Sequence, residues 1–428
     1  MFIVGDDCSV KAGKQQFSAI VIILIVLMAA SLLLFQNSFN ENSETSAPVY
    51  VGVAFQGNTT AEAKLLIDRV KSYTNLFVLG QTPVSRNETT TNEVCDYAVA
   101  AGLNIMVNFG YYDPYASSAE QAFRRWPWQH SWVEAAKSKY GDHFLGVYYD
   151  DEPGGFTLDW DWAGFFGNYS SYFSGSGNST LHKIYAKLIE ANASGTEPND
   201  YDLEAKYFAE LLGITFNPSN GAVSEVTTFT SDYALYWFDY LGGYDVLLAQ
   251  LGWNHTIAQD IALVKGAARL QDKQWGAIVT WKYDKPPYLD SGKEIYKQMV
   301  SAYEAGASYI MIFNYPSLEG NAYGVMRDEH FLALEQFWQN VVVSKRVFPD
   351  YGKADVALVL PKNYGWGMRS IDDRIWGMWG PDDKSPQIWT ISQRLLTKYG
   401  LRLDIVYDDA AFPAAGKYNQ IYYWNDTI

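Results

Sequence analysis

A chain of 428 residues has room for one large domain and a smaller one. Hydrophobic residues make up 48% and charged residues 19%, so most of the chain is expected to fold. The formal net charge of -16 argues against nucleic acid or an anionic membrane surface as the partner. An aromatic share of 16% offers stacking surface for sugar rings, although a large barrel also buries many aromatics.

The first feature in chain order is Phe17 to Phe35, nineteen residues without a charge. That length spans a bilayer core as a helix. Lys11 and Lys14 precede it, so residues 1–16 are expected in the cytoplasm and the remainder outside, at the cell membrane. A cleaved signal peptide ending near Ala29-Ala30-Ser31 is the alternative, but the apolar run continues through Leu34-Phe35. Residues 36–48 are polar and read as a stalk. Seven N-x-S/T sequons follow, at Asn58, Asn87, Asn168, Asn178, Asn192, Asn254 and Asn425, and suggest an extracellular glycoprotein. Cys8 and Cys95 lie on opposite sides of the apolar segment, so no intramolecular disulfide is expected.

From residue 49 short apolar runs alternate with helical periodicity, which predicts repeated βα units. Strands are predicted at Val49–Phe55, Leu76–Gly80, Asn104–Phe109, from Phe144, at Val226–Ser231, Asp245–Leu251, Trp275–Tyr283 and Ser308–Tyr315. Helices are predicted between them, and an insertion at 156–221 carries two more. This is the pattern of a (β/α)8 TIM barrel over 49–345. The fifth strand is short and rich in Thr; without it, an open doubly wound sheet is the alternative. Beyond it, Ala354–Leu360, Pro386–Tyr399, Leu401–Tyr407 and Asn419–Trp424 predict a small α/β unit over 346–428. Its sheet is thin and is expected to rest on the barrel or on a partner chain.

The stretch Phe144-Leu-Gly-Val-Tyr-Tyr-Asp-Asp-Glu-Pro-Gly-Gly155 runs a strand into three acids. Alternation places Leu145, Val147 and Tyr149 toward the helices, and Tyr148, Asp150 and Glu152 toward the barrel mouth. Asp151 then points outward, as a cap. The other strand ends supply Asn108, with Tyr112 beyond it, then Asp232, Gln250, Trp253, Trp281, Tyr283, Asp284, Asn314 and Tyr315. That ring is acidic, amide-bearing and aromatic. No His or Cys cluster suggests a metal, no phosphate loop or nucleophile elbow appears, and no cofactor is implied. Carboxylates with amides and aromatics suit glycosidic bond cleavage. Glu152 is the candidate acid, its pKa raised by neighbouring charge; Asp150, Asp232 and Asp284 are candidates for the second carboxylate. Tyr112, Tyr148, Trp253, Trp281 and Tyr283 are candidates to stack on sugar faces.

Glu152-Pro153 at the end of the fourth strand resembles the Asn-Glu-Pro signature of clan A glycoside hydrolases, which implies that this Glu is the acid/base. The alternation Tyr148, Asp150, Glu152 is similar to the acidic strand of chitinase-like barrels, in which an Asp supports the acid. The passage from Tyr309-Ile-Met-Ile-Phe-Asn-Tyr-Pro316 to Ala354-Asp-Val-Ala-Leu-Val-Leu-Pro361 resembles barrel β-galactosidases with a flavodoxin-like trimerisation domain. It implies a flavodoxin-like C-terminal unit and a homo-oligomer formed through it. Asp151 stands where clan A has Asn, and the seventh strand ends in Trp281-Lys-Tyr-Asp284 without a Glu nucleophile. Retaining, inverting and substrate-assisted routes stay open. The sequence thus reads as a membrane-anchored glycoside hydrolase acting on a glycan or oligosaccharide. The alternative is a non-catalytic carbohydrate-binding or cell-envelope protein on the same barrel.

Overall fold

Eight parallel strands close into a barrel in sequence order: β1 (Tyr50–Phe55), β2 (Leu76–Leu79), β3 (Asn104–Gly110), β4 (Phe144–Tyr149), β5 (Thr228–Asp232), β6 (Val246–Leu251), β7 (Gln274–Val279) and β8 (Tyr309–Asn314). β8 pairs back with β1 from Tyr50↔Tyr309 to Phe55↔Asn314. The computed structural model describes residues 48–110, 128–195, 200–215, 226–253, 255–315, 320–346 and 354–427. The expected anchor at 17–35, the cytoplasmic segment 1–16 and the stalk before Pro48 lie outside these residues. No helix among the described residues is long and apolar enough to cross a membrane.

Short Thr-rich β5 does form, pairing with β4 at Val147↔Thr228 and with β6 at Phe229↔Val246, so the barrel closes at eight strands and not at seven. β7 is shorter than predicted. Its pairing with β6 ends at Leu251↔Val279, and Thr280 to Tyr283 leave the sheet. In β4 the register against β3 shifts between Phe144 and Gly146. Gly146 has φ +144, and a Cβ there would lie 2.1 Å from the Thr227 carbonyl oxygen, so glycine is needed. The extra residue turns Leu145 into the barrel interior, not toward the helices as strict alternation predicts.

The helices follow from local chemistry. Thr59 and Glu62 form a capping box on α1 (Thr60–Val70), and Asn87 caps α2 (Glu88–Ala100). α3 (Trp128–Tyr140) leads to β4. After β4 the insertion builds α4 (Pro153–Asp159), α5 (Trp162–Asn168), α6 (Ser170–Phe173), α7 (Thr180–Ser194) and α8 (Tyr201–Thr215). α9 (Tyr236–Gly242), α10 (Ile257–Leu270), α11 (Gly292–Glu304) and α12 (Asp328–Phe337) complete the shell.

The C-terminal unit is a three-stranded parallel sheet ordered β10 (Leu403–Tyr407), β9 (Val356–Leu360), β11 (Gln420–Tyr423), with α13 (Ser385–Tyr399). It docks on barrel helix α10, where a Cβ on Gly266 would lie 2.7 Å from the Ile405 carbonyl oxygen. Lys265 and Arg269 of α10 pair with buried Asp404 at 3.1 and 3.4 Å. Val49–Ile428 accordingly forms one compact unit. The connection between β9 and α13 reaches back to the insertion: Arg369 pairs with Asp159 at 2.9 Å, and Trp379 Nε1 donates to Glu204 Oε1 at 3.1 Å.

Candidate active site

The carboxyl ends of the strands surround a cavity of about 240 Å³. Strand parity decides what faces it. Ala54, Met106, Phe229, Leu248, Ile278 and Met311 belong to the barrel's interior core. Two residues further along the same strands, Gln56, Asn108, Ser231, Gln250, Thr280 and Phe313 line the cavity. Tyr148 lines it from β4 and Glu152 from the turn that follows, and Trp253, Trp281 and Tyr315 form an aromatic wall. The Trp281 ring centroid lies 4.9 Å from that of Tyr315 and 6.2 Å from that of Trp253. Glu152, Tyr148, Asn108, Gln250, Trp253, Trp281 and Tyr315 therefore meet as the sequence suggested.

The second carboxyl group in the lining is Asp151, not Asp150. Alternation predicted the reverse. It assumes extended backbone, but β4 ends at Tyr149, and Asp150 and Glu152 take left-handed φ of +45 and +58. Two such residues in a row of three acids are strained, and the strain lies at the cavity. The twist carries Asp151 onto Tyr148, whose hydroxyl donates to Asp151 Oδ1. Asp150 turns away; its carbonyl accepts from Thr230 Oγ1 at 2.5 Å.

A chain of neutral donors joins the two acids. Gln250 Nε2 donates to Glu152 Oε1 at 2.7 Å and contacts Ser231 Oγ at 2.9 Å. Ser231 Oγ donates to Asp151 Oδ1 at 3.0 Å, and Ser231 N–H donates to the Tyr148 hydroxyl at 2.9 Å. Among the described residues no cation forms an ion pair with Glu152. Burial, and then the neighbouring Asp151 charge, push its carboxyl up to about 7, against the opposing bond from Gln250. Asp151 is also raised by the surrounding protein, with the Tyr148 and Ser231 bonds opposing.

Asp232 is fully buried and faces away from the cavity. Its carboxylate accepts from the backbone N–H groups of Gly154, Gly155, Tyr233 and Ala234 at 2.6 to 3.1 Å. It clamps the first turn of α4 immediately after Glu152. Gly154 and Gly155 lie in that helix. They are small because a Cβ would meet Ala234 O at 2.7 Å and the Tyr233 ring at 2.1 Å. Burial raises Asp232 to about 7. Burial, and then the neighbouring Asp232 charge, drive Asp239 well above the carboxylate range. Neither Asp239 oxygen has a hydrogen-bond partner among the described residues, which fits an uncharged carboxyl.

Asp284 and Tyr283 are exposed on the loop after β7 and do not line the cavity. Asn314 is buried on the opposite parity, with Oδ1 accepting from Met326 N–H at 3.4 Å. Tyr112 and Asn254 lie outside the described residues. Of the sequon asparagines, Asn58, Asn87, Asn168, Asn178, Asn192 and Asn425 are all exposed. Ser231 escaped the sequence reading although parity with Phe229 marks it as inward. Thr280 Oγ1 and Trp281 Nε1 have no hydrogen-bond partner among the described residues, so the wall opposite the acids carries two unused polar groups. Among the described residues no group of three or more His, Cys, Asp or Glu side chains is placed to hold a metal ion.

No protein-family model matches the sequence, and no curated protein does. Solved structures do match the fold. A β-galactosidase from Bacillus circulans sp. alkalophilus aligns with TM-score 0.52 and 10% identity over 89% of this chain and 67% of that one. An α-L-fucosidase isoenzyme from Paenibacillus thiaminolyticus aligns with TM-score 0.48 and 11% identity, over 87% of this chain and 59% of that one. A GH5_18 protein from Streptomyces cattleya, solved with GlcNAc, aligns with TM-score 0.47 and 11% identity, over 88% and 99%. The fold is a TIM barrel.

Proposed function

We propose that this protein is a glycoside hydrolase in which Glu152 protonates the leaving oxygen. The observation that carries the reading is the Glu152 carboxyl in the barrel mouth, raised to about 7 and held by Gln250. A general acid must be protonated near its working pH, and a carboxyl raised to about 7 suits that task near neutrality. The aromatic wall of Trp253, Trp281 and Tyr315 supplies faces for a sugar ring, and Thr280 and Trp281 supply polar atoms for its hydroxyls. The barrel shared with a β-galactosidase is compatible with a glycan substrate.

Asp151 and Glu152 are consecutive, so both stand on one wall. Facing them across the cavity, β7 leads to Thr280 and Trp281, not to a carboxyl group. Two carboxyl groups that flank a bond approach it from opposite faces. The arrangement thus fits protonation by Glu152, with Asp151 tuning it and attack coming from water or from a group of the substrate itself. The same gap favours a second reading, a carbohydrate-binding protein without turnover.

The test is a screen of the purified protein against chromogenic glycosides and oligosaccharides, with Glu152→Gln alongside. Hydrolysis by the wild type that the variant loses supports the enzyme. Binding of glycans by calorimetry with no hydrolysis moves the assignment to the second reading. The proposal includes residues 17–35 as a membrane anchor, tested by carbonate extraction, and an extracellular glycoprotein, tested by a mass shift on deglycosylation. It also includes self-association through the C-terminal sheet, whose edge strand β11 leaves Tyr423 exposed. Sedimentation tests that point.

A further inference from the structure

Beside the candidate active site lies a second cavity, of about 660 Å³ against 240 Å³. The insertion after β4 builds it. Phe156 and Trp160 come from α4 and its end, Tyr169 and Tyr172 from the α5–α6 turn and α6, and Tyr207 from α8. Phe156, Trp160, Tyr169 and Tyr172 are 49%, 37%, 55% and 65% exposed, large aromatic rings left open to water within one segment. Such a surface is unfavourable in water and marks a binding site.

Two features identify the occupant. First, Asp151 lines both cavities, so they meet at the acid pair. Glu152 protonates the leaving oxygen from that wall, and whatever that oxygen carries departs into the neighbouring space. Second, apart from the acids at the junction, Thr157 and tyrosine hydroxyls, the lining of the second cavity is apolar. Away from those groups a sugar would lose hydrogen bonds to water with few replacements, whereas a hydrocarbon has none to lose.

We propose that the ligand is an amphipathic glycoside, with its sugar in the barrel mouth and its alkyl chain in the aromatic chamber. This rests on reading the barrel mouth as a glycosidic site. In the reaction the C–O bond to the aglycone breaks and the Glu152 proton passes to that oxygen, releasing an alcohol. Water supplies the hydroxyl for the anomeric carbon and returns its other proton to the carboxylate.

The experiment is calorimetric binding of methyl, hexyl and octyl β-D-glucosides and β-D-galactosides to the full-length Glu152→Gln protein, below the micelle concentration. Affinity should rise by roughly fourfold per added methylene. Trp160→Ser and Tyr172→Ser, both at exposed positions, should flatten that rise; thermal unfolding confirms that each variant folds. No gain from methyl to octyl in either series, as when the chain's own residues fill the chamber, overturns the proposal. So does self-association in sedimentation that Trp160→Ser abolishes, which gives the face to a second copy. A chain-length gain with no glycoside cleaved by wild type upholds the chamber and removes only the hydrolase reading. Cleavage of methyl and octyl glycosides with equal KM does the opposite.

Discussion

Asp404 and Glu152 are both carboxyl groups held inside protein, and their surroundings differ in kind. Asp404 sits where the C-terminal sheet meets α10, with Lys265 at 3.1 Å, Arg269 at 3.4 Å and the Tyr418 hydroxyl donating at 2.9 Å. Glu152 has a neutral amide, Gln250, and a second acid, Asp151, for neighbours. Cations make the first an ion pair that fixes one surface on another. Neutral donors and a like charge favour the protonated form of the second, because its charged form is penalised without being matched. Cations tie Asp404 to assembly, whereas Glu152, without them and facing the cavity, is available for chemistry; Asp232, also without a cation, is enclosed and holds the first turn of α4 instead.

Glu152→Gln attacks the chemical side of that contrast and should have the largest effect. General acid catalysis contributes roughly 10²–10⁴-fold, so kcat/KM on any glycoside the protein cleaves should fall by that factor. The melting temperature should not fall, since the amide replaces a group that was costly to ionise. Undiminished turnover in this variant would remove Glu152 from the mechanism.

Asp404→Ala attacks the assembly side. Breaking one partner of a buried pair leaves the Lys265 charge uncompensated and costs about 3–5 kcal/mol. Denaturant unfolding should read that loss, with kcat/KM unchanged in the molecules that remain folded. A loss below about 1 kcal/mol would show the ion pair to be no more than a solvated contact.

How much of this was legible beforehand depends on which physical rule governed each residue. The barrel was legible because parallel strands and amphipathic helices carry strong, regular periodicity, and even short β5 kept enough of it. β7 was drawn too long because Thr280 to Tyr283 continue its composition after the pairing stops. Glu152, Tyr148 and Gln250 were found from strand ends. Ser231 was within reach, since it shares parity with Phe229; the same count would have turned Asp232 and Asn314 outward. The exchange of Asp150 for Asp151 was not legible. It depends on left-handed backbone at two non-glycine residues, held by tertiary contacts that include Tyr148, Ser231 and Thr230. The burial of Asp232 under the α4 amides is likewise a tertiary fact.

Asp151→Asn sharpens the comparison by removing the like charge while keeping the Tyr148 contact. Glu152 must be protonated to act, so kcat/KM should decline as pH rises through about 7 in the wild type. Burial is the larger cause of the raised value and stays in the variant; the Asp151 charge is the second and goes. The alkaline limb should therefore move down by on the order of one pH unit. A limb that does not move would assign the whole effect to burial.

The smallest effect concerns stability. A carboxyl whose folded pKa lies above its unfolded value binds protons more readily in the folded state. Its contribution to stability is present at acid pH and is lost as pH rises from the ordinary Glu range through the folded value, here about 7. The full shift would correspond to about 3 kcal/mol, and water in the open cavity reduces this to about 1 kcal/mol. Glu152→Gln has no such group, so its urea midpoint should fall less than the wild type's between pH 5 and pH 8. Asp232, also raised to about 7, stays in both proteins, so the variant's midpoint should still fall. Parallel declines in the two proteins would mean that Glu152 ionises in the folded state as easily as in water. The cavity would then hold an ordinary carboxylate, and the contrast with Asp404 would reduce to the presence or absence of a cation.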